Sequence, residues 1–230
     1  ASQAAFAATP TFETGLNEMF FANFEVVLRT EESCRVLGGC LANGDSTTIP
    51  NFTATAPAGW QLANPLLANN IKVGDVFAGI FNVQNIDHAD GSNSNTLNNF
   101  TGYFAQQVQT VYANGLDPFD VPDGNNALAH LTLIDPTVDP FGILAAGEMF
   151  RFYVDPAGTW ETNGGYADDI AKATNGTLWA SFTGTGGYMY SHPDLNLTGA
   201  NVSEQTAKLA LNLVTKGGAW NAGSLALIND

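Results

Sequence analysis

The chain has 230 residues, enough for one large β-domain, and is 45% hydrophobic with 15 Phe, 6 Tyr and 4 Trp, a composition that can bury a core and excludes wholesale disorder. Only 13% of residues are charged, and 22 acids against 7 Lys and Arg leave a net charge of −15. The cations (Arg29, Arg35, Lys72, Arg151, Lys172, Lys208, Lys216) are scattered and form no basic stripe. That argues against nucleic acid and anionic membrane surfaces as partners and favours divalent cations.

The chain opens at Ala1 without a methionine, which fits a mature chain whose export signal has been removed. "ASQAAFAATPTF" (1–12) is apolar and nearly uncharged, and residues 1–19 are expected to be an N-terminal extension ahead of a single domain over 20–230. Phe6 and Phe12, six residues apart, would share one face of a regular strand and are the candidate assembly residues, donated to the sheet edge of a neighbouring copy. Pro10 would confine that strand to an edge.

"FFANFEVVL" (20–28) mixes aromatic and β-branched residues and predicts the first strand. The next forty residues are turn-rich, with "ANGDSTT", "APAGW" and "ANPLLANN" as punctuation. Within them Cys34 and Cys40 flank Gly38-Gly39, a spacing that favours a disulfide in an exported protein. A zinc site would need about four ligands, and no C-x-x-C or nearby His supplies the rest.

"VGDVFAGIFNVQNI" (73–86) alternates as a strand buried on at least one face, and "FTGYFAQQVQTVYANG" does the same after residue 100. "ALAHLTLI" and "GEMFRFYVDP" predict two further strands. Residues 166–174 predict the one short helix, with Tyr166, Ile170 and Ala173 on one face, Asp168 and Asp169 in the first turn and Asn175-Gly176 closing it. "TLWASFTG" and "GYMYS" predict a hairpin over a Gly184–Gly187 turn, and "AKLALNLVT" and "SLALI" the last strands. Many short strands, long loops and one helix predict a mainly β fold, an antiparallel β-sandwich of jelly-roll-like kind.

Chemical motifs are sparse. "TGTGG" (183–187) lacks the G-x-G-x-x-G and G-x-x-x-x-G-K-[ST] spacings, so its glycines are expected to serve a turn. Gly44-Asp45-Ser46 is reminiscent of serine esterases, but the base would have to be His88, His130 or His192, and Asp194 follows His192 rather than preceding it. Asp168 and Asp169 diverge by about 100° on a helix and suit its dipole better than paired-carboxylate chemistry. Glu148 and Glu161, with Trp160 and Trp179, are the groove alternative. Calcium is the candidate ion, because two short glycine-containing loops concentrate oxygen ligands: Asp87, Asp90, Asn93 and Asn95 in one, Asp117, Asp120, Asp123 and Asn125 in the other. Neither matches the EF-hand loop. Five N-x-[ST] sequons stand at Asn51, Asn99, Asn175, Asn196 and Asn201.

"FYVDP", "ADDIAKATNGTLWASF" and "GYMYS" resemble segments of exported bacterial proteins of the PEP-CTERM, exosortase-sorted kind, in which an acidic pair and AT-x-G-T-L precede aromatic strands. "VGDVFAGIFNVQNI" and "FTGYFAQQV" are similar to other segments there, so the likeness runs from about residue 71 to 191. The family's Pro-Glu-Pro motif, apolar helix and basic tail are not among these residues. The resemblance implies a secreted β-protein of extracellular polymer, sheath or biofilm matrix and carries over no catalytic residues. The expected function is therefore a non-enzymatic extracellular structural protein that assembles with itself into filaments or matrix. A secreted calcium- or carbohydrate-binding module and an exported hydrolase are the alternatives.

Overall fold

The computed structural model describes residues 10, 12, 17–41, 56–64, 70–88, 91, 99–112, 129–155, 160, 166–191 and 206–220. The elements in chain order are β1 Asn17–Thr30, α1 Glu31–Leu37, β2 Trp60–Leu62, β3 Val76–His88, β4 Phe100–Tyr112, β5 Ala129–Ile134, β6 Phe150–Val154, α2 Tyr166–Ala173, β7 Thr177–Ser191 and β8 Thr206–Lys216. The fold is mainly β, as expected, with an 8-stranded sheet in which every recorded pairing is antiparallel.

Period-2 alternation gives the central strands β3 and β4 two apolar faces. On β3, Val76, Ala78 and Ile80 join Val26, Leu28, Tyr103 and Ala105 in one cluster, closed by Ile170 and Ala173 of α2 and by Phe141, Ile143 and Leu144. The other face carries Phe77, Phe81 and Val83. There Phe81, Phe104, Phe152, Phe182 and Trp179 form an aromatic ladder across β3, β4, β6 and β7. Edge-to-face pairs such as Phe81–Phe152, centroids 4.7 Å apart, contribute about 0.5–1.5 kcal/mol each beyond area burial. A mainly antiparallel sheet buried on both faces is consistent with the sandwich-like β fold expected from many short strands separated by turns.

The order is β2-β1-β3-β4, then β5 and β6 end to end in one position, then β7, then β8. β5 pairs with the C-terminal half of β4 (Gln107↔Ile134 to Tyr112↔His130) and β6 with its N-terminal half (Phe100↔Val154 to Phe104↔Phe150). Residues 135–149 therefore leave the sheet and return to it in line with where they left.

Three expectations change. The hairpin over Gly184–Gly187 does not form: β7 runs unbroken from Thr177 to Ser191, pairing with β6 over one end and β5 over the other. The glycines pass the gap between β5 and β6, and the chain has no need to reverse there. The turn-rich stretch after residue 28 contains α1, capped by the Thr30 hydroxyl, which accepts from the Ser33 amide at 3.1 Å. Thr30 followed by Glu31 and Glu32 is the legible signal, a hydroxyl cap with acids on the helix dipole. The boundary at residue 19 falls inside β1, and Phe12 is buried, stacked on Trp179 at 5.4 Å. Phe12 thus belongs to the chain's own aromatic face and not to a neighbour's edge; Phe6 lies outside the described residues.

Candidate functional site

The break between β5 and β6 gathers the acids that the sequence scatters. Asp135, just past β5, accepts from the Gly184 amide at 2.7 Å and from the Thr183 hydroxyl. Asp139 accepts from the Tyr103 hydroxyl and the amides of Phe141, Ile143 and Leu144, which pins the inserted segment over the sheet. Glu148, almost fully buried, accepts from the Ala145 amide at 2.8 Å and pairs with Arg151 at 2.6 Å. Burial pushes the Glu148 carboxyl up, but Ser181, Arg151 and the Ala145 amide together outweigh it and hold it below the usual glutamate range. Tyr153 goes the other way: burial raises its phenol despite Arg151 beside it. A depressed, ion-paired carboxylate is a poor proton donor at neutral pH, so this cluster serves to hold the inserted segment.

A second polar node ties α1 to the sheet. Arg29 and Asp75, both 1% exposed, make a bidentate pair with two contacts of 2.8 Å. The same guanidinium donates to the carbonyls of Gly38 and Asn70, and Asp75 also accepts from the Lys72 amide. The expected disulfide forms beside it, Cys34–Cys40, with Cα atoms 5.7 Å apart. Gly38 and Gly39 adopt φ of 67° and 73°, the left-handed region that lets the chain fold back so tightly. Every donor of this node is directed at the chain itself, which makes it structural.

The remaining candidates fall as follows. Of the two calcium loops, Asp87 alone is described; it is the penultimate residue of β3 and accepts from the Asn85 side chain. Asp90, Asn93, Asn95, Asp117, Asp120, Asp123 and Asn125 lie outside the described residues, among which no group of three or more His, Cys, Asp or Glu is placed to hold a metal. Asn99 is 5% exposed, so the fold closes that sequon to a glycan, whereas Asn175 is exposed. Asn51, Asn196 and Asn201 are outside the described set. Trp179 is buried in the aromatic ladder and Trp160 packs on the opposite cluster, so the groove with Glu148 is not built; Glu161 is not described. Asp168 pairs with Lys172 at 2.7 Å on the helix surface while Asp169 points inward, the divergence expected of adjacent helical positions. His88 ends β3 and His130 lies in β5, on different strands; Ser46 and His192 are not described.

What the fold does present is a pair of sheet margins. Among the described residues β8 pairs only with β7, and β2 covers β1 only at Leu28–Thr30. Residues 17–26 of β1 have a strand neighbour on one side alone among the described residues. β1, β4 and β7 run one way and β3, β5, β6 and β8 the other, so the two margins are antiparallel. β8 carries Lys208 and Lys216 and no acid, whereas residues 17–26 carry Glu18 and Glu25 and no base. Leu211 and Val214 of β8 stay 36% and 46% exposed. The sequence hides this because a margin is defined by the absence of a neighbour. No family model matches the chain, and searches of curated proteins and of solved structures each return no match, so its reading rests on its own residues.

Proposed function

We propose that this chain is an extracellular structural protein that assembles with copies of itself by joining sheet margin to sheet margin. The observation that carries the reading is the pair of antiparallel margins, β8 with Leu211 and Val214 exposed and residues 17–26 of β1. Set against each other in successive copies, they extend one antiparallel ladder, and unpaired N–H and C=O groups gain partners. The contact is head to tail and need not close, which gives a filament. Export is supported by the disulfide, the scarcity of Lys and Arg and the resemblance to exosortase-sorted matrix proteins.

Negative-stain microscopy and sedimentation velocity of the purified chain over a concentration series test it, with and without EDTA. Concentration-dependent filaments are expected, and L211E/V214E, which puts acids on the β8 margin opposite an acidic β1, abolishes them while the far-ultraviolet spectrum is kept. A monodisperse monomer at every concentration and pH overturns the reading.

A further inference from the structure

Glu25 is the one charged residue in "FFANFEVVL", and it sits on the length of β1 that has a strand neighbour on one side alone among the described residues. Alternation turns it to the same face as Val27, which packs on the Phe77 cluster, while Val26 and Leu28 go to the opposite core. Its cross-strand partner on β3 is Gly79, flanked on that face by Phe77 and Phe81. Gly79 is in turn paired with Phe104 of β4. The carboxylate therefore lies beside an aromatic surface, over a position with no side chain. The charged groups that share this face on β1 and β3 are Arg29 and Asp75, and they are engaged with each other. From β4 the facing residues are Phe100, Gly102, Phe104 and Gln106, none of them charged. Among the described residues no hydrogen bond or ion pair to Glu25 forms.

An inward-facing charge on a margin strand is a recognised way of blocking edge-to-edge addition, because an incoming strand would have to desolvate it. We propose that Glu25 is the gate of the β1 margin: ionised, it keeps β8 of a second copy from adding there, and protonated, it lets the ladder extend. The occupant is a second copy, since β8 brings antiparallel direction, the exposed Leu211 and Val214 and a comparable length, 11 residues against residues 17–26. Burial raises the Glu25 carboxyl above the usual glutamate range, so it takes up its proton at higher pH than an exposed glutamate does. This inference rests on the margin-to-margin reading and adds its regulation.

The test is sedimentation velocity of the full chain from pH 8 down to pH 5, comparing the native protein, Glu25→Gln and Glu25→Thr, with circular dichroism to show that each is folded. The native chain is expected to assemble increasingly as pH falls. Both neutral variants are expected to assemble already at pH 8, at roughly tenfold lower concentration than the native chain requires. Their remaining pH dependence should be small, because the other acids still titrate. Glu25→Thr keeps the test decisive if the Gln variant misfolds, as Thr is neutral and strand-favouring. A native chain that assembles equally at pH 8 and pH 5, or variants with the native pH midpoint, overturns the gate and leaves self-assembly standing. Native and variant chains that stay monomeric throughout overturn self-assembly and the gate with it.

Discussion

Asp135 accepts the Gly184 amide at 2.7 Å across the only stretch of β7 that runs past the gap between β5 and β6. A carboxylate stands in for the missing strand, taking up a backbone donor that β5 and β6 leave unpaired. On the same residue, a side chain at position 184 would run into Met149, the last residue of the inserted segment, and press on Asp135 at 3.3 Å. The tip of the Met149 side chain would have to move aside to admit one.

Two substitutions separate these roles. Asp135→Ala leaves the Gly184 amide without its acceptor and is expected to lower stability by about 1–3 kcal/mol. Gly184→Val overpacks the Met149 contact and is expected to lose a similar amount, about 1–3 kcal/mol. Urea unfolding followed by tryptophan fluorescence measures both. Native-like stability of Gly184→Val would return the glycines to a turn role.

Phe81 reaches across Gly102, its cross-strand partner, to meet Phe152 on the next strand. A methyl group at 102 would overlap the Phe81 ring and the Arg151 carbonyl. Gly102→Ala is therefore expected to cost about 1–3 kcal/mol. Phe81→Leu together with Gly102→Ala should cost less than the sum of the two singles, because the shorter side chain vacates part of the space. Strict additivity in thermal melts of the four proteins would contradict the contact.

The Arg29–Asp75 pair is fully enclosed, so removing one partner strands a charge. Arg29→Met is expected to destabilise by about 3–5 kcal/mol. The double variant Arg29→Met, Asp75→Leu should recover only part of this, because the carbonyls of Gly38 and Asn70 lose the guanidinium in either case. Full recovery in chemical denaturation would mean that those carbonyls do not depend on Arg29.

Cys34 and Cys40 close a loop with a sequence separation of 6. So short a loop constrains the unfolded chain modestly, and Cys34→Ser, Cys40→Ser is expected to lower stability by about 2 kcal/mol without unfolding the sheet. Intact mass after alkylation without reductant checks the bond itself, and a melt of the double variant checks its contribution.

The Glu148–Arg151 pair sets an acid limit. Because the folded fold holds the Glu148 carboxyl below its usual range, its stabilising contribution is complete at neutral pH and disappears as pH falls through that depressed value. Glu148→Gln should be less stable than the native chain at pH 7, with the gap closing below the ordinary glutamate range. Glu25, raised by burial, has the opposite sign: its contribution is present at low pH and is lost as pH rises through its raised value. Urea midpoints at stepped pH for the two single variants distinguish them, and parallel curves for native and Glu148→Gln would refute the assignment.

Local pattern carried most of the described strands and the single strongest helix, but not β2, which lies in the stretch read as turn-rich. Alternation in 73–86 became β3, "AKLALNLVT" became the core of β8, and the Asp168–Asp169 turn began α2 where the dipole argument puts it. The cysteine spacing around Gly38-Gly39 became the disulfide. These depend on periods, caps and turns within a few residues, and such signals are written in the chain itself. Tertiary structure alone decided what each segment lies against. "TGTGG" is continuous strand because β5 and β6 stop opposite it; Phe12 is core because Trp179 stands there; Arg29 is buried because Asp75, 46 residues away, neutralises it. Whether a glycine serves a turn or a close approach, and whether an acid in a strand is exposed surface or a gate, depends on neighbours that only the assembled sheet supplies.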